Sequence, residues 1–247
     1  MSSYSYFADF YDSLTDNVEY DKKADYITEI MKRHHHEFGL TLDLACGTGS
    51  LAVELYKRGV DIFGADASAD MLTAAQQKTA EQGFQIMFLH QKMQHLHLFG
   101  TIDTCLCTLD SINHLPSKND VCKSFESVYR YLKDGGLFVF DANTVYKHQY
   151  VLGDNCYIYD KKDVFCAWQN NFNARNNKVI ITLDFFVPRG TIYERYSEQF
   201  SERAYTREEM TEMLTSSGLC IEAVYDDMSF ESPKADSQRE IYVTRKN

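Results

Sequence analysis

The sequence predicts an α/β fold: a doubly wound, mostly parallel seven-stranded sheet that carries an antiparallel β insert. Three observations predict it. A short apolar run at residues 39–44 is followed by a glycine turn and a helical stretch at residues 50–58, the opening of a strand-turn-helix unit. Strand-like and helix-like stretches then alternate to about residue 140, as helices laid on both faces of a parallel sheet require. Between about residues 155 and 205 the alternation stops, and aromatic and β-branched residues without helical periodicity take over, the composition of antiparallel strands.

Each element has its own start and stop signals. Gly47 and Gly49 supply a sharp turn and leave the first N–H groups of the next helix facing a ligand. Gly59 stops that helix, and residues 60–66 form a second strand that ends in Asp66. Residues 68–82 are helical up to Gly83, and strands follow at 84–89 and 101–108. Ser117 caps the next helix, where Val121, Phe125, Val128, Tyr129 and Leu132 recur at helical spacing before Gly135, and residues 137–140 form a buried fifth strand. In the insert, Val179, Ile181, Leu183 and Phe185 alternate between turns at Asn176-Asn177 and Pro188-Arg189-Gly190. Period-two geometry then puts Tyr193, Arg195, Arg203 and Tyr205 on one face of the next strand, with Glu194, Tyr196, Glu198 and Glu202 on the other. One of those faces is expected to overhang the site. Thr206 and Glu209 make a capping box for a helix to about Ser217, and strands near 219–225 and 240–244 close the chain.

Composition narrows the partners. The 247 residues, 44% hydrophobic, suffice for one substantial core or a core with a small appended module. A formal net charge of −11 without any basic run disfavours nucleic-acid backbones and favours a small or cationic ligand. The seven cysteines show no C-x-x-C pair, and Cys105 and Cys107 sit in an apolar strand-like run, as reduced thiols of a cytoplasmic protein do. The first residues hold no basic segment followed by an apolar stretch, and nothing later approaches the length of a membrane span. A soluble, cytoplasmic protein is expected.

Two adenosine cofactors fit the glycine turn. Gly47, Gly49 and Ala52 satisfy the G-x-G-x-x-A dinucleotide pattern, and Asp66 ends the second strand where ribose hydroxyls are met. Asp43 discriminates between them. A carboxylate on the strand before the turn repels a pyrophosphate but attracts an ammonium and a sulfonium. Residues 42–49, Leu-Asp-Leu-Ala-Cys-Gly-Thr-Gly, resemble the first motif of the class I S-adenosylmethionine-dependent methyltransferases, and residues 64–72, Gly-Ala-Asp-Ala-Ser-Ala-Asp-Met-Leu, resemble their second. Residues 6–14, Tyr-Phe-Ala-Asp-Phe-Tyr-Asp-Ser-Leu, are similar to the opening of small bacterial members in which a Tyr-Asp pair precedes a lid helix, and the run from Tyr193 to Tyr205 is similar to their insert.

The resemblance covers nearly the whole chain and implies a Rossmann-like methyltransferase fold. It implies N-terminal lid helices at 1–38, a donor-binding domain at 39–150 and 206–247, and an insert at 151–205 covering the acceptor site. The implied donor pocket comprises Tyr11, Asp43, Ala45, Cys46, Gly47, Gly49, Asp66, Ala67, Met71, Lys92, Met93, Leu109 and Asp110. In it, Asp43 and main-chain groups near Ala45 and Gly47 receive the amino-acid end, and Asp66 the ribose. One residue departs from the family: Lys92 stands where an acid commonly meets adenine, which leaves Met93, Gln91 or backbone groups for that contact.

Residues 109–114, Leu-Asp-Ser-Ile-Asn-His, end the fourth strand at the edge where an acceptor sits. His114 is the first candidate for a base, since an unperturbed imidazole titrates near about 6.5. Acceptor contacts are expected from His114, Tyr193, Arg195, Glu198 and Arg203. The run is not of the Asn-Pro-Pro-Tyr type, and no Pro-Cys pair is present, which weakens a nucleic-acid role further. No metal is expected, because His34, His35, His36, His95 and His97 lack partners at ligand spacing. The expectation is methyl transfer to an N or O atom of a small molecule, giving S-adenosylhomocysteine, with a homodimer through the insert. Two alternatives stand beside it, a nicotinamide-dependent oxidoreductase and a non-catalytic cofactor-binding protein that dimerises through the insert.

Overall fold

The structure, a computed structural model, describes residues 10–12, 14–15 and 17–247. Residues 6–9 and Ser13 of the N-terminal motif lie outside the described residues, as do the lid expectations placed on 1–9, 13 and 16. Helix α1 (Tyr20–Arg33) leads into β1 (Thr41–Leu44), α2 (Ser50–Lys57), β2 (Ile62–Asp66), α3 (Ala69–Glu81), β3 (Phe88–His90), β4 (Ile102–Cys107), α4 (Lys118–Tyr131) and β5 (Leu132–Asn143). The insert follows as β6 (Cys156–Asp160), β7 (Phe165–Asn173), β8 (Lys178–Arg189) and β9 (Ile192–Arg203). Helix α5 (Arg207–Ser216), β10 (Leu219–Asp226) and β11 (Arg239–Lys246) close the chain.

The main sheet has seven strands in the order β10-β11-β5-β4-β1-β2-β3. Neighbours are parallel except β11, which runs antiparallel to both β5 and β10. Strand order therefore reverses between β1 and β4, and the crevice beyond their carboxyl ends is where such sheets bind ligands. Alternate residues of the buried strands feed two cores. Leu137 and Val139 face the side packed by α1 and α2, whereas Phe138 and Phe140 face α4 and α5, with Phe140 stacked on Tyr242 at 4.9 Å. Ser68, Ser117 and Thr206 cap their helices, and the Thr206 and Glu209 capping box is fully formed.

Three stretches depart from expectation for local reasons. Strand β3 begins at Phe88 rather than residue 84, because Phe84 N–H still closes the end of α3 on Thr79 O at 2.9 Å. Helix α4 ends at Tyr131 rather than at Gly135, because Leu132 already pairs with Ile102 and the chain jogs through Gly135, φ +78°, before Leu137 resumes opposite Thr104. Residues 147–152, for which no element was expected, form a π-helical turn that turns His148 into the interior.

The insert is a second sheet, β6-β7-β8-β9, antiparallel throughout. Its register pairs Val179 with Glu202, Ile181 with Phe200 and Leu183 with Glu198, and directly paired residues share a face. That face is buried and packs on Phe10, Tyr11, Leu14 and Met71. Among the described residues no helix is long and apolar enough to cross a membrane.

Candidate active site

The donor side is built around the turn after β1. Ala45, Gly47 and Gly49 all take left-handed φ values, +57°, +53° and +72°, so the loop folds back on itself and Gly49 N–H reaches Cys46 O at 2.9 Å. A Cβ on Gly47 would meet nothing within 4 Å, whereas one on Gly49 would stand 3.0 Å from the Phe88 ring and 3.2 Å from Ala75. The first glycine thus keeps the floor of a ligand site open, and the second allows α2 to pack closely. Asp66 at the end of β2 is fixed by two amides, Gly47 N–H donating to Oδ2 at 2.9 Å and Ser68 N–H to Oδ1 at 2.8 Å. Burial pushes its carboxyl up, and these N–H groups oppose the shift.

Asp43 is only 2% exposed, and its Oδ2 has no hydrogen-bond partner among the described residues. Burial, with the Asp66 charge alongside, pushes its carboxyl up to about 7. An orphaned buried carboxylate oxygen is costly unless a ligand donates to it. Asp43 lines a cleft together with Tyr11, Tyr20, Ala45, Cys46, Gly47, Leu51, Thr108, Leu109 and Ser111. Burial, then Asp43 and Asp66, raise the Cys46 thiol well above its ordinary value. The segment bearing Tyr11 is pinned to the same turn: Asp12 Oδ1 accepts from Thr48 Oγ1 at 2.7 Å, and Asp12 Oδ2 pairs with Lys78 at 2.6 Å.

The remaining donor candidates are placed unevenly. Ala67 is exposed, and its carbonyl lies 2.9 Å from His90 Nε2. Met71 packs in the apolar cluster beneath the insert. Lys92 is exposed and Met93 half-buried against the main core. The Gln91 amide is committed to both main-chain groups of His97, which removes it from the choices for adenine.

On the acceptor side, Leu109 and Asp110 both adopt left-handed φ values, +57° and +51°, which side chains other than glycine take at a cost. Asp141 of β5 holds them there, its two carboxylate oxygens accepting Leu109 N–H at 2.9 Å and Asp110 N–H at 2.6 Å. Arg239 of β11 bridges the two acids, donating to Asp141 Oδ1 at 2.5 Å and Asp110 Oδ1 at 2.6 Å, and Lys23 of α1 lies 3.5 Å from Asp141. Burial pushes both carboxyls up, and the guanidinium outweighs it and holds them below the usual range. His114 follows on a 3₁₀ turn, its ring 5.4 Å from that of Phe200, with Nε2 3.6 Å from Glu202 Oε1 and 3.9 Å from Asp110 Oδ2.

The structure brings His114 and Asp110 together with Glu202, and Glu198 shares the buried inner face of the insert. It does not bring Tyr193 or Arg195 there. Both are on the opposite, exposed face of β9, where Arg195 pairs with Asp184 at 2.8 Å. Arg203 is turned onto the Tyr205 ring, 4.9 Å from its centroid. Sequence reasoning missed Glu202, His148 and Lys147; the alternation that set Glu202 beside Glu198 was the available signal. The histidine runs have structural partners, His34 with Glu222 and Tyr225, and His36 with Thr104.

Comparison with known proteins agrees with this geometry. The methyltransferase-domain family matches residues 41–136. YqeM of Bacillus subtilis is 34% identical over 245 residues, 99% of this chain and 97% of the relative. The solved S-adenosylmethionine-dependent methyltransferase from Clostridium acetobutylicum superimposes with a TM-score of 0.88 at 34% identity over 98% of both chains. This chain belongs to the S-adenosylmethionine-dependent methyltransferases. DesVI from Streptomyces venezuelae, at 20% identity and a TM-score of 0.79 over 98% of both chains, shares the fold.

The residues of this methyltransferase fit the family's cofactor. S-adenosylmethionine carries an ammonium, and the orphaned Asp43 Oδ2 is a buried acceptor at the turn. The open floor above Gly47 leaves room for the amino-acid end of the donor.

Proposed function

We propose that this methyltransferase moves the methyl group to an N or O atom of a small-molecule acceptor, leaving S-adenosylhomocysteine. One observation supports the reading: the insert reaches over the sheet edge until Glu202 lies 3.6 Å from His114, a covered acceptor side that favours a small molecule over a polymer. When bound, S-adenosylmethionine supplies a methyl group on a positively charged sulfur, an already activated electrophile. In this reading Asp43 and the Ala45 to Gly47 main chain hold its amino-acid end, Asp66 its ribose, and Leu109 with Ser111 the boundary with the acceptor. Alignment and exclusion of water supply most of the acceleration, and His114 accepts the proton the acceptor gives up.

Residues 39–150 and 206–247 then serve the donor, 151–205 cover the acceptor, and the described residues up to 38, pinned through Asp12, close the entrance. The outer face of the insert exposes Ile158, Ile180 and Tyr193, the surface through which a homodimer would form in the cytoplasm. Light scattering checks that assembly, with a monomer at micromolar concentration as the contrary result. For the activity, enzyme and methyl-labelled cofactor are incubated with a metabolite extract. Label in a low-molecular-weight product supports the reading, and label confined to RNA or protein overturns it.

A further inference from the structure

The buried Glu202, the half-buried Asp110 and a histidine face one point on the acceptor side. His114 Nε2, Glu202 Oε1 and Asp110 Oδ2 lie within 4.8 Å of one another. Each acid is tied to the protein through its other oxygen. Asp110 Oδ1 accepts from Arg239 at 2.6 Å, and Glu202 Oε2 accepts from Asn143 Nδ2 at 3.4 Å with His148 Nε2 at the same distance. Glu202 is 4% exposed, yet among the described residues no hydrogen bond reaches its Oε1. Oε1 meets only the His114 ring, at 3.6 Å, so an enclosed carboxylate anchored on one oxygen keeps the other available to a donor from outside the chain.

We propose that this point receives the ammonium group of the acceptor, and therefore that the acceptor is a primary or secondary amine. The assignment rests on the methyl-transfer reading above and narrows its acceptor. An ammonium group offers up to three N–H donors, and three acceptor atoms converge here, Nε2 included when His114 carries its proton on Nδ1. A hydroxyl offers one donor and would leave a buried carboxylate unmet. A divalent ion would draw the same oxygens closer, but it would add two charges beside the half-buried Arg239 and Lys147. A single positive charge suits that balance better. One proton passes from the ammonium to His114 Nε2, which frees the nitrogen lone pair. The nitrogen then forms its bond to the methyl carbon as the carbon–sulfur bond of the donor breaks, its electron pair staying on sulfur. The product leaves as a methylammonium, and His114 returns its proton to solvent.

Saturation-transfer NMR tests the assignment on the S-adenosylhomocysteine complex and on the free protein, with propylammonium, propanol and propionate as probes. Propylammonium is expected to bind at least tenfold more tightly than propanol, with propionate weakest. Glu202→Gln is expected to lose at least fivefold of the ammonium affinity while S-adenosylhomocysteine affinity stays within twofold. Equal binding of propanol and propylammonium to wild type would overturn the proposal whatever the variant does. So would a Mn²⁺ signal in electron paramagnetic resonance that Glu202→Gln abolishes and propylammonium does not displace, since the point would then be a metal site. Failure of wild type to bind S-adenosylhomocysteine would count against the methyl-transfer reading alone, because the ammonium preference is also read on the free protein.

Discussion

At Asp43, burial and the neighbouring Asp66 raise the carboxyl to about 7, and both stability and cofactor affinity follow from that. An acid whose folded-state value is raised holds its proton more tightly folded than unfolded. Its contribution to the cofactor-free protein is therefore present below the ordinary carboxylate value and is lost as the pH climbs to about 7. Asp43→Asn should then stabilise the cofactor-free protein at pH 8 by about 1–3 kcal/mol, read by urea unfolding; a variant less stable than wild type there would contradict this. With the cofactor ammonium placed against the ionised form, as proposed, affinity should rise with pH through the same window. Calorimetry at pH 6 in buffers of different ionisation enthalpy should detect about one proton released per cofactor bound. The residues of the donor turn were legible because Asp43, Gly47, Gly49 and Asp66 lie within one strand-helix-strand unit, where spacing fixes position. The grouping of Glu202 and His148 was not, because Glu202 meets His114, and His148 meets Glu202, only through the placement of β9 and the turn after β5.

Two local arrangements at the scale of elements shape the cleft. The first is the left-handed pair Leu109 and Asp110, held by Asp141 and neutralised through Arg239. Arg239→Met leaves the buried Asp141 and the half-buried Asp110 without their main counter-charge and should cost about 3–5 kcal/mol of stability, again read by urea unfolding. An effect within the noise would show that the guanidinium is replaceable. The second is the latch of Asp12 on Thr48 and Lys78. Lys78→Met should speed cofactor release several-fold in stopped-flow chasing with little change in global stability, since partly exposed pairs contribute only about 0–1 kcal/mol; unaltered release would show that the latch does not hold the cleft shut. Caps and hairpin turns were legible at this scale because a few adjacent residues determine them. The start of β3 and the end of α4 were not, because pairing with distant strands sets where each helix gives way.

Across the whole molecule, the sheet order places the donor turn, the β4 edge and the insert at one crevice. The division into a parallel sheet and an antiparallel insert could be read from the sequence, because apolar periodicity reports burial in each. Which face of β9 turns inward could not, because both alternating sets contain charged and aromatic residues, and only pairing with Val179, Ile181 and Leu183 decides it. A ligand that binds only the folded protein stabilises it by mass action, so S-adenosylhomocysteine at a hundred times its dissociation constant should add about 2.7 kcal/mol, seen as a rise in Tm. The most direct test of donor recognition is a calorimetric titration of S-adenosylmethionine into wild type and Asp43→Asn at pH 8. Saturable binding to wild type, weakened about 30-fold or more by the substitution, is the predicted result. Equal affinity of the two proteins would contradict the placement of the donor's ammonium against Asp43.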